Sequence, residues 1–182
     1  MKIKKAIKTY IPKCEQEQAD KAAMLKYLDS FADVLTRANT IGHFTSSGFI
    51  TNKTRDKVLF VHHNIYKMWG WTGGHMDNDT DFLYVALKEA REETGVQKIM
   101  PLKTEIASLD ILPVQPHLKN GEYIATHIHL SVAFILEADE LETLQIRPEE
   151  NSGVRWFTLA ELEELEFEPC MVPIYNKLLG QL

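Results

Sequence analysis

The strongest constraint on the fold is an amphipathic helix predicted over residues 80–94. Its apolar side chains recur at positions i, i+3, i+4 and i+7, namely Leu83, Ala86, Leu87 and Ala90. Asp79 or Thr80 is expected to cap the amino terminus of this helix, and Gly95 is expected to end it. One side of the helix is therefore apolar and is expected to pack on a core.

Runs with the residue pattern of β-strands lie on both sides of this helix. They are expected at 43–51, 57–63, 104–114, 127–138 and 153–157. The stretch 68–81 is rich in glycine and aspartate and is expected to be a loop. Further helices are predicted at 15–38, 158–165 and 173–182. Because helices both precede and follow the strands, the pattern predicts an α/β fold with α/β/α layers.

A chain of 182 residues fits one ordinary domain with an extra terminal segment. We assign residues 1–39 to the terminal segment and residues 40–182 to the domain. The first part of the segment is lysine-rich, and we expect it to be a solvated, frayed arm ahead of an amphipathic helix. Contact of these lysines with an anionic surface is the alternative.

Charge and cysteine content exclude several classes of function. The chain has 20 basic and 26 acidic residues, a net charge of −6, which argues against a nucleic-acid-binding surface. No run of about 18 apolar residues indicates a membrane span, and no apolar run after the terminal lysines indicates a secretory signal. Cys14 and Cys170 form no CxxC pair, so we expect free thiols in a reducing cytoplasm.

Glu89, Glu92 and Glu93 gather on one face of the predicted helix at i, i+3 and i+4. Like charges at this spacing repel one another and destabilise a helix. Clustered carboxylates that leave coordination positions open suit Mg²⁺ or Mn²⁺, especially where a substrate phosphate completes the shell. A solvated acidic helix face is the alternative explanation.

This segment resembles the Nudix box, a loop–helix–loop signature of the form G-x5-E-x7-R-E-U-x-E-E-x-G-U, where U is bulky and apolar. The box spans residues 74–96, and the whole resemblance covers about residues 40–165. The matching positions are Gly74, Glu89, Ala90, Glu92, Glu93, Gly95 and Val96.

Two positions of the box depart from the pattern. Thr80 stands where the first glutamate is expected, and either Asp79 or Asp81 could take the place of the missing carboxylate. Lys88 stands where the family has an arginine that helps to orient the glutamates. Lysine keeps the positive charge but loses the forked geometry of a guanidinium.

Glu150 is the candidate for an additional metal ligand or a general base. It lies six residues before Trp156, in a run that resembles a common acidic position of the family. The stretch before the box, with Gly73 following an aromatic residue, is also typical of the family. The alternative for Glu150 is a solvated loop carboxylate beside Glu149.

The resemblance implies an α/β/α sandwich with a mixed β-sheet that hydrolyses a nucleoside diphosphate linked to another moiety. It implies Mg²⁺, for which Mn²⁺ can substitute, bound by Glu89, Glu92 and Glu93. Water would attack phosphorus, with Lys88 orienting the carboxylates and one of them, or Glu150, acting as base. The implied partner is a small-molecule nucleotide or diphosphate, with neither nucleic acid nor membrane.

Substrate contacts are expected from the loop that precedes the helix. Backbone N–H groups at Gly73 and Gly74 could approach a phosphate, and His75 could donate to it or simply hold the loop. Trp71 could stack on a base or belong to the core. The same two roles are open to Tyr66, Trp69, Tyr123 and Phe44. A homodimer is left open, because the N-terminal helix could pack on its own domain or on a second subunit.

Three other functions compete with hydrolysis. A nucleotide-binding sensor without turnover is favoured by Thr80 and Lys88. Isomerisation of an isopentenyl-type diphosphate would need a cysteine in the site, and neither Cys14 nor Cys170 is expected to line it. Zinc binding by His127 and His129, which share one strand face, lacks a third ligand at a set spacing. The histidine pairs 127/129 and 62/63 are therefore interpreted as structural or substrate-lining.

Overall fold

The computed structural model describes residues 2–119 and 121–182. The strands are β1 (Gly42–Thr51), β2 (Lys57–His63), β3 (Trp69–Gly70), β4 (Thr72–His75), β5 (Ile99–Pro101), β6 (Ser108–Val114), β7 (His117–Lys119), β8 (Glu122–Ile124), β9 (His127–Ala138) and β10 (Asn151–Thr158). The helices are α1 (Lys2–Thr9), α2 (Glu15–Ser30), α3 (Phe82–Thr94), α4 (Leu159–Leu162) and α5 (Val172–Leu179). In the described part of the chain these strands form an eight-stranded sheet and a separate β7–β8 pair.

The main sheet is mixed and is built around the long strands β1 and β9. Its central order is β10-β2-β1-β9-β5, with β3 paired to β2, β4 to β1 and β6 to β9. The β1–β9 pair is parallel and runs in register from Gly42↔Ile128 to Thr51↔Glu137. The other pairs in the sheet are antiparallel. The predicted runs 57–63 and 127–138 coincide with β2 and β9.

Side-chain alternation along these strands gives the sheet two different faces. One face of β1 and β2 carries Phe44, Ile50 and Leu59, which join buried residues of α1, α2 and α3 in one apolar cluster. The opposite face carries Phe49 and Phe60. These pack with three residues of α5, namely Ile174, Tyr175 and Leu178. Helices therefore cover both faces, and the prediction of an α/β/α sandwich is confirmed.

Helix α3 lies on the first face and is capped at both ends. The Asp81 side chain accepts a hydrogen bond from the Tyr84 amide, and the Phe82 carbonyl accepts one from Ser46. Gly95 ends the helix in a left-handed conformation with φ of 79°, which favours glycine. The predicted caps Asp79 and Thr80 are wrong by one or two residues, because Asp81 is the residue whose carboxylate reaches the first turn.

The expectation of a frayed N-terminal arm is wrong. Residues 2–9 form α1, whose Ile3 and Ile7 are buried in the same apolar cluster as α2 and α3. The lysines lie on the outer side of this short helix. Their number in the sequence drew attention away from the apolar side chains on its inner side. Helices α1 and α2 pack on the sheet of their own chain. Of the two arrangements that the sequence left open for the amphipathic N-terminal helix, the structure has the one on its own domain.

The helix predicted over 15–38 is shorter in the structure and ends at Ser30. Polar side chains after it bond to local groups: Thr36 to the Asp33 carbonyl, and Asn39 to the Asp33 side chain. Such bonds offer the backbone an alternative to the helix. The apolar spacing nevertheless continues to Val34, which is buried from the loop.

Several other boundaries differ from the sequence-based ones. The predicted loop 68–81 contains the short strands β3 and β4, and β6 begins at Ser108 rather than at residue 104. Helix α4 covers only Leu159–Leu162. Within the described residues, no helix is both long enough and apolar enough to cross a membrane.

A buried ion triad connects α2, β6 and α5. The Lys177 ammonium lies 2.8 Å from Glu17 Oε1 and 2.8 Å from Asp110 Oδ1. The Glu17 and Asp110 side chains are 0% and 2% exposed, so both carboxylates depend on Lys177 for their counter-charge. Burial opposes the charge of Lys177, but hydrogen bonds to the two carboxylates raise its pKa overall. Removing the lysine would take away the cation that pairs with these two buried carboxylates.

We expect the substitution Lys177→Met to lower the free energy of unfolding by about 3–5 kcal/mol, the usual cost of breaking a buried ion pair from one side. Urea denaturation at neutral pH measures this change. The matched control is Lys2→Met, because Lys2 pairs with Asp81 on the surface with side chains 66% and 45% exposed. The control should change stability by no more than about 1 kcal/mol. Equal losses in the two variants would contradict the role of the triad.

Candidate functional site

A cleft of about 1140 Å³ opens over the sheet face opposite to the one that carries Phe44, and glutamates of α3 reach its wall. Its floor is the polar half of that face, from residues at the start of β1 and β9: His43, Thr45, Ser47, His129 and Ser131. The apolar continuation of the same face, beginning at Phe49, is covered by α5. The cleft therefore exists because this strand face changes from polar to apolar along its length.

An acidic cluster lines one wall of the cleft. Glu89 and Glu93 come from α3, and Glu150 comes from the turn before β10. One carboxylate oxygen from each lies within 4.8 Å of the other two. The helical spacing aligns the first two residues, whereas only the pairing of β10 with β2 brings Glu150 to them. Three oxygen donors this close suit a divalent cation with oxygen preference.

Glu93 is the most deeply buried member of the acidic cluster. Its Oε1 accepts a 2.8 Å hydrogen bond from the Gly73 amide, and its Oε2 is buried with no hydrogen-bond partner. Burial raises the pKa of Glu93 well above its usual range, and neighbouring Glu89 and Glu150 raise it further. An unpartnered carboxylate oxygen among other carboxylates is the arrangement that a bound cation would stabilise, so the donor set fits a divalent metal.

Glu89 is held between Lys88 and Gly74. The Lys88 ammonium lies 3.3 Å from Glu89 Oε1. Burial raises the pKa of Glu89, and Lys88 opposes that shift. A side chain at Gly74 would put its Cβ 2.4 Å from Glu89 Cδ, so it would displace the Glu89 carboxylate.

Glu92 lies beside the acidic cluster and forms an ion pair. The Arg147 guanidinium is 2.7 Å from Glu92 Oε2 and 3.3 Å from Glu150 Oε2. Arg147 therefore connects the helix to the turn that carries Glu150. Sequence reasoning missed this arginine. The only local signal was its position three residues before Glu150, which is also common in surface turns.

The carboxylates that could replace the missing first glutamate are engaged elsewhere. Asp81 caps α3 and pairs with Lys2, and Asp79 accepts a hydrogen bond from the Asp81 amide. Thr80 is exposed between them. The acidic cluster is formed from Glu89, Glu93 and Glu150 instead.

The aromatic residues that were candidates for stacking on a base lie partly in the cleft and partly in the core. Tyr66, Trp69 and Tyr123 line the cleft. Trp71 also lines it, although the residue is only 7% exposed and its ring packs edge-on to Tyr175. Phe44 is fully buried on the opposite face, and its ring centroid is 5.7 Å from that of Phe82. It therefore belongs to the core and not to the cleft.

The glycine and cysteine positions also differ in part from expectation. The Gly73 amide donates to Glu93, which uses the N–H group that was expected to approach a phosphate. The expectation that neither cysteine lines the site is wrong for Cys170, which lines the cleft near its Glu168 wall. The error arose because residues 168–171 turn back over the cleft before α5. Burial raises the pKa of the Cys170 thiol.

Histidines form a second group of potential ligands in the cleft. His75 and His129 approach His43, which the sequence analysis did not select. His43 and His129 are direct partners in the parallel β1–β9 register. A single histidine at the start of a strand carries no local signal, and the separation of 86 positions between the two strands hides the pairing.

A sequence profile for the NUDIX domain matches residues 43–178 of the chain. A search of curated protein sequences finds no significant match. The fold is similar to that of a C. elegans Ap4A hydrolase in a binary complex, with a TM-score of 0.56 and 15% identity. That alignment covers 76% of this chain and 96% of the hydrolase.

Two further solved structures show the same architecture. The NUDIX domain of Shewanella oneidensis NrtR, complexed with ADP ribose, gives a TM-score of 0.56 at 17% identity. The alignment covers 86% of this chain and 96% of that domain. A NUDIX-family hydrolase from Clostridium perfringens gives 0.53 at 22% identity, covering 77% of this chain and 98% of the other. At these identities the likeness establishes the fold.

We expect Glu93→Gln to stabilise the metal-free protein at neutral and alkaline pH. The folded state binds the Glu93 proton more tightly than the unfolded state, so wild-type stability falls as pH rises from about 4.5 through the raised pKa. Glutamine removes that loss. Thermal denaturation in EDTA should give a Tm higher by at least about 2 °C at neutral pH, with the difference narrowing as pH falls towards 4.5. A Tm difference that does not change with pH would contradict the raised pKa of Glu93.

We also expect Gly74→Ala to weaken divalent-metal binding, because the new methyl group would displace the Glu89 carboxylate. The expected loss of affinity is at least about 10-fold, measured by the thermal shift on titration with Mg²⁺ or Mn²⁺. Gly180→Ala is the matched control, since its Cβ would meet nothing closer than 3.5 Å. Unchanged binding in the Gly74 variant would contradict the close-packing argument.

Proposed function

The chain belongs to the Nudix family, and on that premise we propose that it is a metal-dependent hydrolase of nucleoside diphosphates linked to another moiety. The reaction is attack of water at phosphorus with cleavage of the diphosphate linkage. The observation that carries this proposal is the unpartnered, buried Glu93 Oε2 in an acidic cluster with Glu89 and Glu150. An aromatic-lined cleft beside the cluster supports a nucleotide-sized substrate.

Glu89 and Glu93 are the proposed principal ligands of the cation, which is Mg²⁺ with Mn²⁺ as a substitute. When bound, such an ion polarises the phosphoryl group, lowers the pKa of water and neutralises the diphosphate. The Gly73 amide fixes Glu93 and leaves its second oxygen available. Lys88 holds Glu89 in place. Its ammonium takes the role of the arginine in the family pattern, which is to orient the glutamates.

Glu92 and Glu150 are the remaining acidic groups, and both contact Arg147. We assign the general base to Glu150, because it belongs to the acidic cluster and its side chain is 40% exposed towards the cleft. Glu92 contributes through Arg147, which holds the turn that carries Glu150. The expectation that Glu92 is itself a metal ligand stays a prediction. Comparing the Glu92→Gln and Glu150→Gln variants tests it.

The proposed substrate contacts come from the cleft walls. Trp69, Trp71 and Tyr66 offer apolar surfaces for a base, and His75 lies at the end of β4 next to Gly74. The neighbouring structures include an Ap4A hydrolase and a domain bound to ADP ribose, which supports a nucleotide-like ligand. The two free cysteines are in keeping with our proposal of a cytoplasmic protein.

A nucleotide-binding sensor is the second candidate function. Thr80 supplies no carboxylate, Asp81 caps α3, and Asp79 accepts a hydrogen bond from the Asp81 amide, so the acidic cluster has fewer groups than the full signature provides. The similar NrtR domain is described in complex with ADP ribose. This candidate requires binding without turnover.

The test is product release from nucleoside triphosphates, nucleotide sugars, ADP-ribose, dinucleoside polyphosphates and dinucleotide cofactors, with Mg²⁺, Mn²⁺ or EDTA. We expect cleavage of one class that EDTA abolishes and that Glu93→Gln reduces by at least about 100-fold. Glu164→Gln, an exposed glutamate outside the cleft, is the matched control and should retain full activity.

The remaining outcomes separate the candidates. Tight binding of one ligand without turnover in either metal would replace the hydrolase with the sensor. Because Cys170 lines the cleft, an isoprenyl diphosphate belongs in the panel, and its isomerisation without hydrolysis would overturn both. Turnover that survives Glu93→Gln would show that the acidic cluster is not the catalytic site.

A further inference from the structure

The floor of the cleft contains a compact histidine cluster, formed by His43 of β1, His75 of β4 and His129 of β9. One ring nitrogen from each lies within 4.8 Å of the other two. The ring centroids are 4.9 Å apart for His43 and His75, 5.2 Å for His43 and His129, and 5.0 Å for His75 and His129. The proposed hydrolysis uses none of these three rings as a metal ligand.

The strand pairing aims the three rings at one point. His43 and His129 are register partners on parallel strands, so their side chains emerge on the same face. His75 pairs with Thr45, which is two residues from His43 and therefore shares that face. The cluster thus rests on three paired strands of the sheet rather than on loops.

Hydrogen bonding fixes the tautomer of His43. Its Nδ1 lies 3.0 Å from the Asn39 carbonyl oxygen, which can only accept, so Nδ1 carries the proton. The lone pair is therefore on Nε2, which is buried without a hydrogen-bond partner. His129 Nε2 is also buried and unpartnered. A ring nitrogen held in this way by a backbone carbonyl is the usual outer support of a metal-binding histidine.

Burial favours the uncharged form of two of the rings. Desolvation lowers the pKa of His43 and of His129, and the neighbouring rings of His75 and His43 lower the pKa of His129 further. Neutral imidazoles are the form that coordinates a metal. His127 flanks the cluster, with its ring 5.1 Å from that of His129 and its Nδ1 bonded to the Ala125 carbonyl oxygen.

We propose that His43, His75 and His129 form a binding site for a transition-metal cation of the zinc class, separate from the carboxylate site. Three imidazoles match the coordination chemistry of Zn²⁺, Co²⁺ or Ni²⁺, whereas the oxygen donors of the acidic cluster match Mg²⁺ or Mn²⁺. The exposed side of the cluster faces the cleft, which leaves a coordination position for water or for a ligand atom.

The first experiment is titration of the chelator-treated 182-residue protein with Zn²⁺ against a chromophoric zinc indicator, followed by Co²⁺ with visible absorption as the readout. We expect one equivalent of tightly bound Zn²⁺ and cobalt d–d bands typical of a nitrogen-rich site. His43→Gln and His129→Gln should each weaken Zn²⁺ binding by about 100-fold or more. His62→Gln is the matched control, because His62 bonds to Ser152 outside the cluster and should leave binding unchanged.

Substitutions of the carboxylates distinguish the proposed histidine site from the proposed hydrolase activity. The double variant Glu89→Gln/Glu93→Gln should keep the tight Zn²⁺ site while losing Mg²⁺-dependent activity. Loss of tight Zn²⁺ binding in that variant, or retention in His43→Gln, would overturn the histidine site and leave the proposed hydrolysis unaffected.

An independent readout needs no substitution. Imidazole nitrogen NMR of the wild-type protein should show His43 keeping its Nδ1 proton while the Nε2 resonances of His43 and His129 shift on addition of one equivalent of Zn²⁺. Unshifted Nε2 resonances at saturation would overturn the proposal even if a histidine variant fails to fold.

Discussion

The parallel pairing of β1 with β9 is the interaction on which the rest of the structure depends. Ten consecutive residues of β1, from Gly42 to Thr51, are in register with β9. Because side chains alternate, this one register sends Phe44 towards α3 and Phe49 towards α5. A slip of one residue would exchange the two faces of the strand, so the two cores and the cleft are fixed together.

The acidic cluster is arranged at a cost to the metal-free fold. Glu93 is buried among like charges, and its carboxylate is fixed by one amide of β4 while the other oxygen is unpartnered. The absence of a side chain at Gly74 allows Glu89 to approach the same strand. Such unsatisfied, desolvated groups are expected where a site is organised in advance for a ligand rather than for stability.

Two kinds of donor meet in one cleft. Carboxylate oxygens from α3 reach β4 at Gly73 and Gly74, and the next residue, His75, points to the imidazoles on the sheet. Oxygen and nitrogen donors prefer different cations. The short strand β4 therefore lies between two sites with different chemistry, and its pairing with β1 positions both.

The sequence by itself determined the features that depend on local periodicity: β2, β9, the helix α3 and the alignment of Glu89 with Glu93. Tertiary structure decided the rest. Apolar burial turned the lysine-rich N-terminus into the packed helix α1. Long-range pairing brought Arg147 and Glu150 to the helix, and brought His43 to its partners on β4 and β9. These contacts join residues many positions apart, and no local pattern encodes which strands will become neighbours.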